Sequence, residues 1–243
     1  MNKEATTFKD PFRFKSFTIE QDNAAMKVGT DGVLLGAWVN VEGVQRILDI
    51  GTGTGLIALM SAQRCLSADI DAVEISADAC AIANLNFQSS DWSDRINLHS
   101  TPIQDYETDT AYDLIICNPP FFTGGTLSSS DERNKVRHTV KLPNGDLIRA
   151  VRRLLSPDGS FSVVLPLIEG LRFKEMAESS GFYCRKMTEV KGHVDKDVER
   201  LLLTFKKSSG ICKVDELSIN KSSKRHDYTP QYVEMVKDFY TIL

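Results

Sequence analysis

The sequence contains no apolar run near the roughly 20 residues that a membrane-spanning helix needs; its longest strong one is Val33-Leu-Leu-Gly-Ala-Trp-Val39. A spanning helix is therefore excluded. Cysteine is sparse: Cys65, Cys80, Cys117, Cys184 and Cys212 form an odd set without a Cys-x-x-Cys pair, which disfavours a zinc cage or a disulfide framework. Reduced thiols and no metal centre are expected. The first ten residues, Met1 to Asp10, lack the apolar core of a secretion signal, so a cytoplasmic location is the expectation. Internal repeats and low-complexity linkers are missing too, which leaves one continuous domain.

What is there suffices for a full core: 243 residues, 42% hydrophobic and 26% charged. The net charge of -4 hides an asymmetry. Residues 1–118 carry 8 Lys+Arg against 17 Asp+Glu, a balance of -9, whereas residues 119–243 carry 21 against 16, a balance of +5. An acidic partner would meet the second part.

Apolar runs alternate with helical patterns from residue 46 onward. Arg46–Ile50, Ile70–Glu74, Arg95–His99, Tyr112–Cys117 and Ser160–Leu165 read as buried strands. Helical segments fall at Leu56–Gln63, at Ala77–Phe87 behind an N-cap Ser76, and at Leu142–Leu155 before Ser156-Pro-Asp-Gly159. After a helix over Ile168–Ser180, the runs Phe182–Val190 and Glu199–Phe205 are joined too closely for a crossover helix and must be antiparallel. The fold class is α/β, a doubly wound Rossmann-like sheet of seven strands, mostly parallel with an antiparallel final pair. Lys213–Ile219 fits one more edge strand, Tyr232–Tyr240 a closing helix, and Phe12–Ile19 alternates like a half-buried strand. The domain divides into an N-terminal extension 1–45, a core 46–206 and a C-terminal appendage 207–243.

Where the first strand meets its helix stands Leu48-Asp49-Ile50-Gly51-Thr52-Gly53-Thr54-Gly55. Glycines there admit a ligand close to the backbone, and the helix N-terminus offers free N–H groups. Gly53-Thr-Gly-Leu-Ile-Ala58 also fits the dinucleotide pattern, so a nicotinamide cofactor is one reading. Glu74, ending the second strand, would take ribose hydroxyls in either case. Asp49 separates the two: a carboxylate would repel a pyrophosphate but suits the ammonium of S-adenosyl-L-methionine. No Tyr-x-x-x-Lys dehydrogenase pair occurs either.

The fourth strand ends in Cys117-Asn118-Pro119-Pro120-Phe121-Phe122. Two prolines stop the ladder and fix the backbone, so the Asn118 side chain and the Pro119 carbonyl can face one point. Both are acceptors. Phe121 offers a flat face for a planar group, worth about 1–3 kcal/mol if that group is a base. Such a site suits methylation of an amino group conjugated to a ring or a carbonyl, because two acceptors favour the pyramidal nitrogen whose lone pair is free.

On these residues the chain resembles class I S-adenosylmethionine-dependent methyltransferases over residues 46–206, with Asn-Pro-Pro-aromatic as the amino-methylation signature. Phe17-Thr-Ile-Glu-Gln-Asp22 and Met26-Lys-Val-Gly-Thr-Asp-Gly-Val-Leu-Leu-Gly-Ala-Trp38 narrow the resemblance to the bacterial family that methylates N6 of adenine 37 in valine tRNA. The family motif often ends in Tyr where this chain has Phe121; stacking survives that change, a hydroxyl contact does not. The resemblance implies S-adenosyl-L-methionine as cofactor and tRNA as partner. It implies Lys27, Thr30 and Asp31 as a segment folded over the cofactor, beside Asp49, Gly51, Gly53, Gly55, Glu74 and Ile75. Thr101, Pro102 and Ile103 would support the adenine, with Asp105 near its amino group. Catalysis falls to Asn118, Pro119 and Phe121. Substrate contacts fall to Phe121, Phe122, Arg133, Lys135, Arg137, His138 and Lys141, and both a substrate lid and disorder fit loop 123–130. Guanine N2 in RNA and a release-factor glutamine amide are alternative targets, and a cofactor-binding RNA module without activity is the non-enzyme reading.

Overall fold

A computed structural model describes residues 11–22, 24, 26–120, 142–224 and 226–241. In chain order its elements are β1 (Phe12–Arg13), β2 (Thr18–Ile19), α1 (Thr30–Trp38), β3 (Arg46–Ile50), α2 (Leu56–Arg64), β4 (Asp69–Glu74), α3 (Ala77–Gln88), β5 (Ile96–Ser100) and β6 (Tyr112–Cys117). Then follow α4 (Asn144–Leu154), β7 (Leu155–Pro166), α5 (Leu167–Ser179), β8 (Tyr183–His193), β9 (Val198–Lys206), β10 (Lys213–Asn220) and α6 (Pro230–Val236).

The main sheet runs β10-β8-β9-β7-β6-β3-β4-β5. The expected seven strands are present, and Lys213–Asn220 adds an eighth, parallel to β8, because the backbone of β8 would otherwise lie open at the edge. The expected antiparallel pair is β8 with β9; β9 also opposes β7, so it alone runs against the sheet. Side chains alternate between two cores, as the strand period of two requires. Ile47, Leu114, Ile116 and Leu202 face α1, α2, α6 and the inner side of α3, whereas Leu48, Ile115, Leu201 and Leu203 face α4 and α5.

Three details depart from the sequence reading. The stretch Phe12–Ile19 is two short antiparallel strands, because the chain turns back between Phe14 and Phe17, whose backbone N–H and C=O bond at 2.9 Å. The helix ends at Leu154, just before Ser156-Pro-Asp-Gly159, but the strand expected from Ser160 already starts at Leu155; the pairing with β6 shifts between Tyr112 and Leu114, so the turn residues form an irregularity inside β7. The strand expected at Arg95 begins at Ile96, after a 3-10 turn over Ser93–Arg95. Ser76 does cap α3, accepting from the Ala79 N–H at 3.4 Å.

One polar cluster ties β3, β4, β5 and β6 together, with Arg46 and Tyr112 at the amino ends of their strands. The buried Asp71 of β4 accepts from Tyr112 Oη at 2.7 Å and Arg46 at 3.1 Å, and lies 2.8 Å from His99 Nε2. Burial pushes its carboxyl up, but these partners more than offset that, so its pKa lies below the usual carboxylate value.

Candidate active site

Successive connections leave β3 in opposite directions, to β4 and β5 on one side and to β6 and β7 on the other. That reversal opens a crevice at the carboxyl ends of β3 and β6, the place where doubly wound sheets bind ligands. Ile50 pairs with Cys117, so the glycine turn and Asn118 leave the sheet side by side. Gly51, Gly53 and Gly55 have φ values of 70°, 58° and 87°. At Gly55 the reason is packing as well, since a Cβ there would sit 2.4 Å from Phe87 Cε1. At Gly51 and Gly53 a Cβ would meet nothing within 4 Å among the described residues.

Two carboxylates flank the turn. Asp49 is 1% exposed; its Oδ2 accepts from Thr52 Oγ1 at 2.6 Å and its Oδ1 is buried without a hydrogen-bond partner among the described residues. Burial, opposed by the Thr52 hydroxyl and the Ala58 backbone N–H and helped by the charge of Glu74, pushes the Asp49 carboxyl up to about 7. Glu74 accepts from Gly53 N at 3.0 Å and from Ile75 N and Ser76 N at 2.9 Å each. It therefore braces the turn. A carboxylate has about four acceptor sites, so three amides leave room for about one further hydroxyl, not an unencumbered pair. Ile75, half exposed, sets an apolar surface beside it. Thr101 N donates to Glu74 O at 3.0 Å, which brings half-buried Thr101 and Pro102 to the same wall, with Ile103 buried in the core behind them.

Across the crevice Asn118 Oδ1 is also buried with no partner among the described residues, and Pro119 is buried next to it. The first turn of α1 lies against this corner: a Cβ on Gly32 would come within 3.6 Å of Asn118 Nδ2 and 3.0 Å of Leu56 Cδ2. Two orphaned acceptors, one a carboxylate oxygen, and a glycine cradle open to the crevice fit a cationic ligand with a neighbouring hydrogen-bond donor.

The methyltransferase small-domain family model matches residues 26–178. A tRNA1(Val) (adenine(37)-N6)-methyltransferase of Trichodesmium erythraeum is 45% identical over 94% of this chain and 97% of its own. The enzyme of that name from Aliivibrio fischeri is 40% identical over 94% and 97%. The chain belongs to this methyltransferase family. Among solved structures, a predicted O-methyltransferase from Agrobacterium tumefaciens aligns with a TM-score of 0.69 at 20% identity, covering 86% of this chain and 96% of that one. The glycopeptide N-methyltransferase MtfA, complexed with S-adenosyl-L-methionine, aligns at 0.56 and 13%, covering 75% and 100%. These two establish the methyltransferase fold.

In this family member the remaining expected residues are distributed unevenly. Lys27 and Thr30 are exposed at the approach to α1, and Thr30 opens that helix without a side-chain cap. Asp31 is held by Arg200 of β9, whose Nε lies 3.1 and 3.0 Å from its two oxygens. Asp105 is exposed, its N–H turned back to Pro102 O. Phe121, Phe122, Arg133, Lys135, Arg137, His138 and Lys141 lie outside the described residues. Sequence reasoning missed Arg200, which sits in a strand with no motif around it, and Asn86, a buried polar residue on an otherwise unremarkable helix. The only signal for Asn86 is an amide among apolar neighbours on the face that carries Ala83 and Phe87.

Proposed function

We propose that the chain methylates N6 of adenine 37 in the anticodon loop of valine tRNA, with S-adenosyl-L-methionine as the donor. The observation that carries this reading is Asn118 Oδ1, a buried acceptor without a partner among the described residues, at the exit of β6 beside the glycine turn and Asp49. The names of the 45% and 40% identical relatives support the target.

Bound S-adenosyl-L-methionine supplies a methyl group already activated by its sulfonium charge. Asp49 Oδ1 holds the ammonium, Glu74 takes a ribose hydroxyl, and Ile75, Thr101, Pro102 and Ile103 form the wall for the adenine. Gly51 and Gly53 let the backbone approach without a Cβ, and Gly55 keeps the turn against Phe87. Lys27, Thr30 and Asp31 belong to the covering segment, Asp31 through its ion pair with Arg200.

On the substrate side Asn118 Oδ1 and the Pro119 carbonyl accept the two N6 hydrogens and favour the pyramidal nitrogen. Phe121 stacks on the base, Phe122 supports it, and Arg133, Lys135, Arg137, His138 and Lys141 meet RNA phosphates. Holding N6 in line at about 3 Å supplies much of the rate. The donor would supply the methyl and depart as a neutral thioether carrying the C–S bonding pair, and the proton released from N6 would pass to water, so a protein base is not required.

The test compares nucleosides of tRNA digested from cells with and without the protein, then the purified protein on intact tRNA, free adenosine and a release factor. Loss of N6-methyladenosine from valine tRNA is the expected result. Unchanged nucleosides, or methylation confined to the release factor, would overturn the proposal.

A further inference from the structure

Asn86 near the end of α3 is 2% exposed and spends its whole amide on two separate segments. Its Oδ1 accepts from Glu20 N at 2.8 Å and its Nδ2 donates to Glu20 O at 3.0 Å, a two-point pairing like one rung of a strand ladder. The other Nδ2 proton goes to Thr54 O at 2.8 Å, inside the glycine turn. Phe87, the next residue, fills the space against Gly55. From Glu20 the chain passes to Gln21, whose Oε1 accepts from Val28 N at 2.9 Å, and then to α1, where Gly32 faces Asn118. One side chain thus joins the turn on the cofactor side to the segment that leads to the cover over Asn118.

We infer that Asn86 is a positioning residue for methyl transfer: it couples the glycine turn to the N-terminal cover, so that a ligand seated on the turn also orders residues 26–36 above Asn118. It touches neither cofactor nor reacting atoms. The inference rests on the methyltransferase reading above and goes beyond it by assigning a role to a residue outside the crevice. A buried amide that matches three backbone partners is costly to replace, because each partner left unpaired keeps its desolvation cost. Replacement by aspartate keeps the shape and the acceptor for Glu20 N, but turns oxygen toward two carbonyls.

The experiment measures backbone hydrogen exchange over residues 26–36 with and without S-adenosylhomocysteine, together with kcat and KM, for the wild type, Asn86→Asp, Asn86→Ala and Ser162→Ala. Ser162 is a buried strand residue bonded to Thr204 at 2.9 Å and serves as a control for simple loss of stability. Expected are ligand-induced protection of 26–36 in the wild type and in Ser162→Ala, loss of that protection in Asn86→Asp, and a fall in kcat of about tenfold or more at saturating cofactor. Asn86→Ala should follow Asn86→Asp; if it fails to fold, the aspartate variant decides alone. Wild-type protection and kcat in a folded Asn86→Asp, or the same losses in Ser162→Ala, would overturn the inference. If the wild type itself binds no S-adenosylhomocysteine, the cofactor reading fails first, and that outcome is distinct from a failure of the coupling.

Discussion

At the scale of single residues, Asn118 and Asp49 are orphaned for different reasons and should fail differently. Asn118 Oδ1 has no partner among the described residues, so Asn118→Ala removes an acceptor whose value is greatest when N6 becomes pyramidal. Cofactor affinity should persist while single-turnover methylation falls about 10²–10³-fold, in line with the loss of one preorganised group elsewhere; an unchanged single-turnover rate would contradict the role. Asp49 is a charge buried against its preference. Its folded pKa of about 7 lies above the ordinary 3.8, so between these values the folded protein holds the proton that the unfolded chain releases. Stability without ligand therefore falls as pH rises through this window, by up to about 1.4 kcal/mol per unit from this group alone. Asp49→Asn should remove that slope, melt higher than the wild type at pH 8, and bind S-adenosylhomocysteine poorly. Wild-type affinity should rise as pH approaches 7, because the ammonium selects the carboxylate. Melting curves at pH 5 and 8, with and without ligand, check all four statements, and equal pH slopes in the two proteins would contradict the assignment.

At the scale of elements, α1 is the one whose position matters most for turnover. A glycine inside a helix ordinarily costs about 1 kcal/mol relative to alanine, yet Gly32 stands where any Cβ would press on Leu56 and approach Asn118. Gly32→Val should keep the sheet intact, seen as an unchanged far-ultraviolet spectrum, and lower kcat by displacing Asn118; full activity in this variant would show that the helix has slack over the crevice. The strands and the crevice were legible from sequence because apolar runs, glycines and the Asn-Pro-Pro exit are local signals. Less legible was what arises between distant segments. Arg200 reaches Asp31 across 169 positions and Asn86 reaches Glu20 across 66, and neither pairing leaves a pattern in the chain. The bracing of the turn by Glu74 was not legible, because its partners are backbone amides that every sequence possesses. The irregular start of β7 escaped for the opposite reason: Ser-Pro-Asp-Gly is a strong turn signal, and the sheet absorbed it.

At the scale of the whole molecule, the charge division falls one strand past the reversal of the sheet. The -9 portion builds β3 to β6 and the glycine-turn side of the crevice, and the +5 portion builds β7 to β10. RNA should approach from the β7 side, with affinity that falls as salt rises; neutralising Arg133 and Arg137 together should flatten the log–log slope by about one to two units and leave cofactor affinity unchanged. Phosphate contacts position the substrate and do not choose the base, so free adenosine should be a poor substrate beside folded tRNA. Salt titrations of tRNA binding give the answer, and a salt-independent affinity would contradict it. The same basic half finishes the sheet. Strand β10 occupies the flank of β8 through seven paired residues, and its own Lys213-Val214-Asp215-Glu216 run is exposed. Bare strand margins recruit other chains, whereas a margin carrying charges of both signs resists them. The last strand is thus a selvedge for the sheet: a chain cut before Lys213 would bare the hydrogen-bonding flank of β8, and the cost would appear as self-association in concentrated solution before any change at the crevice.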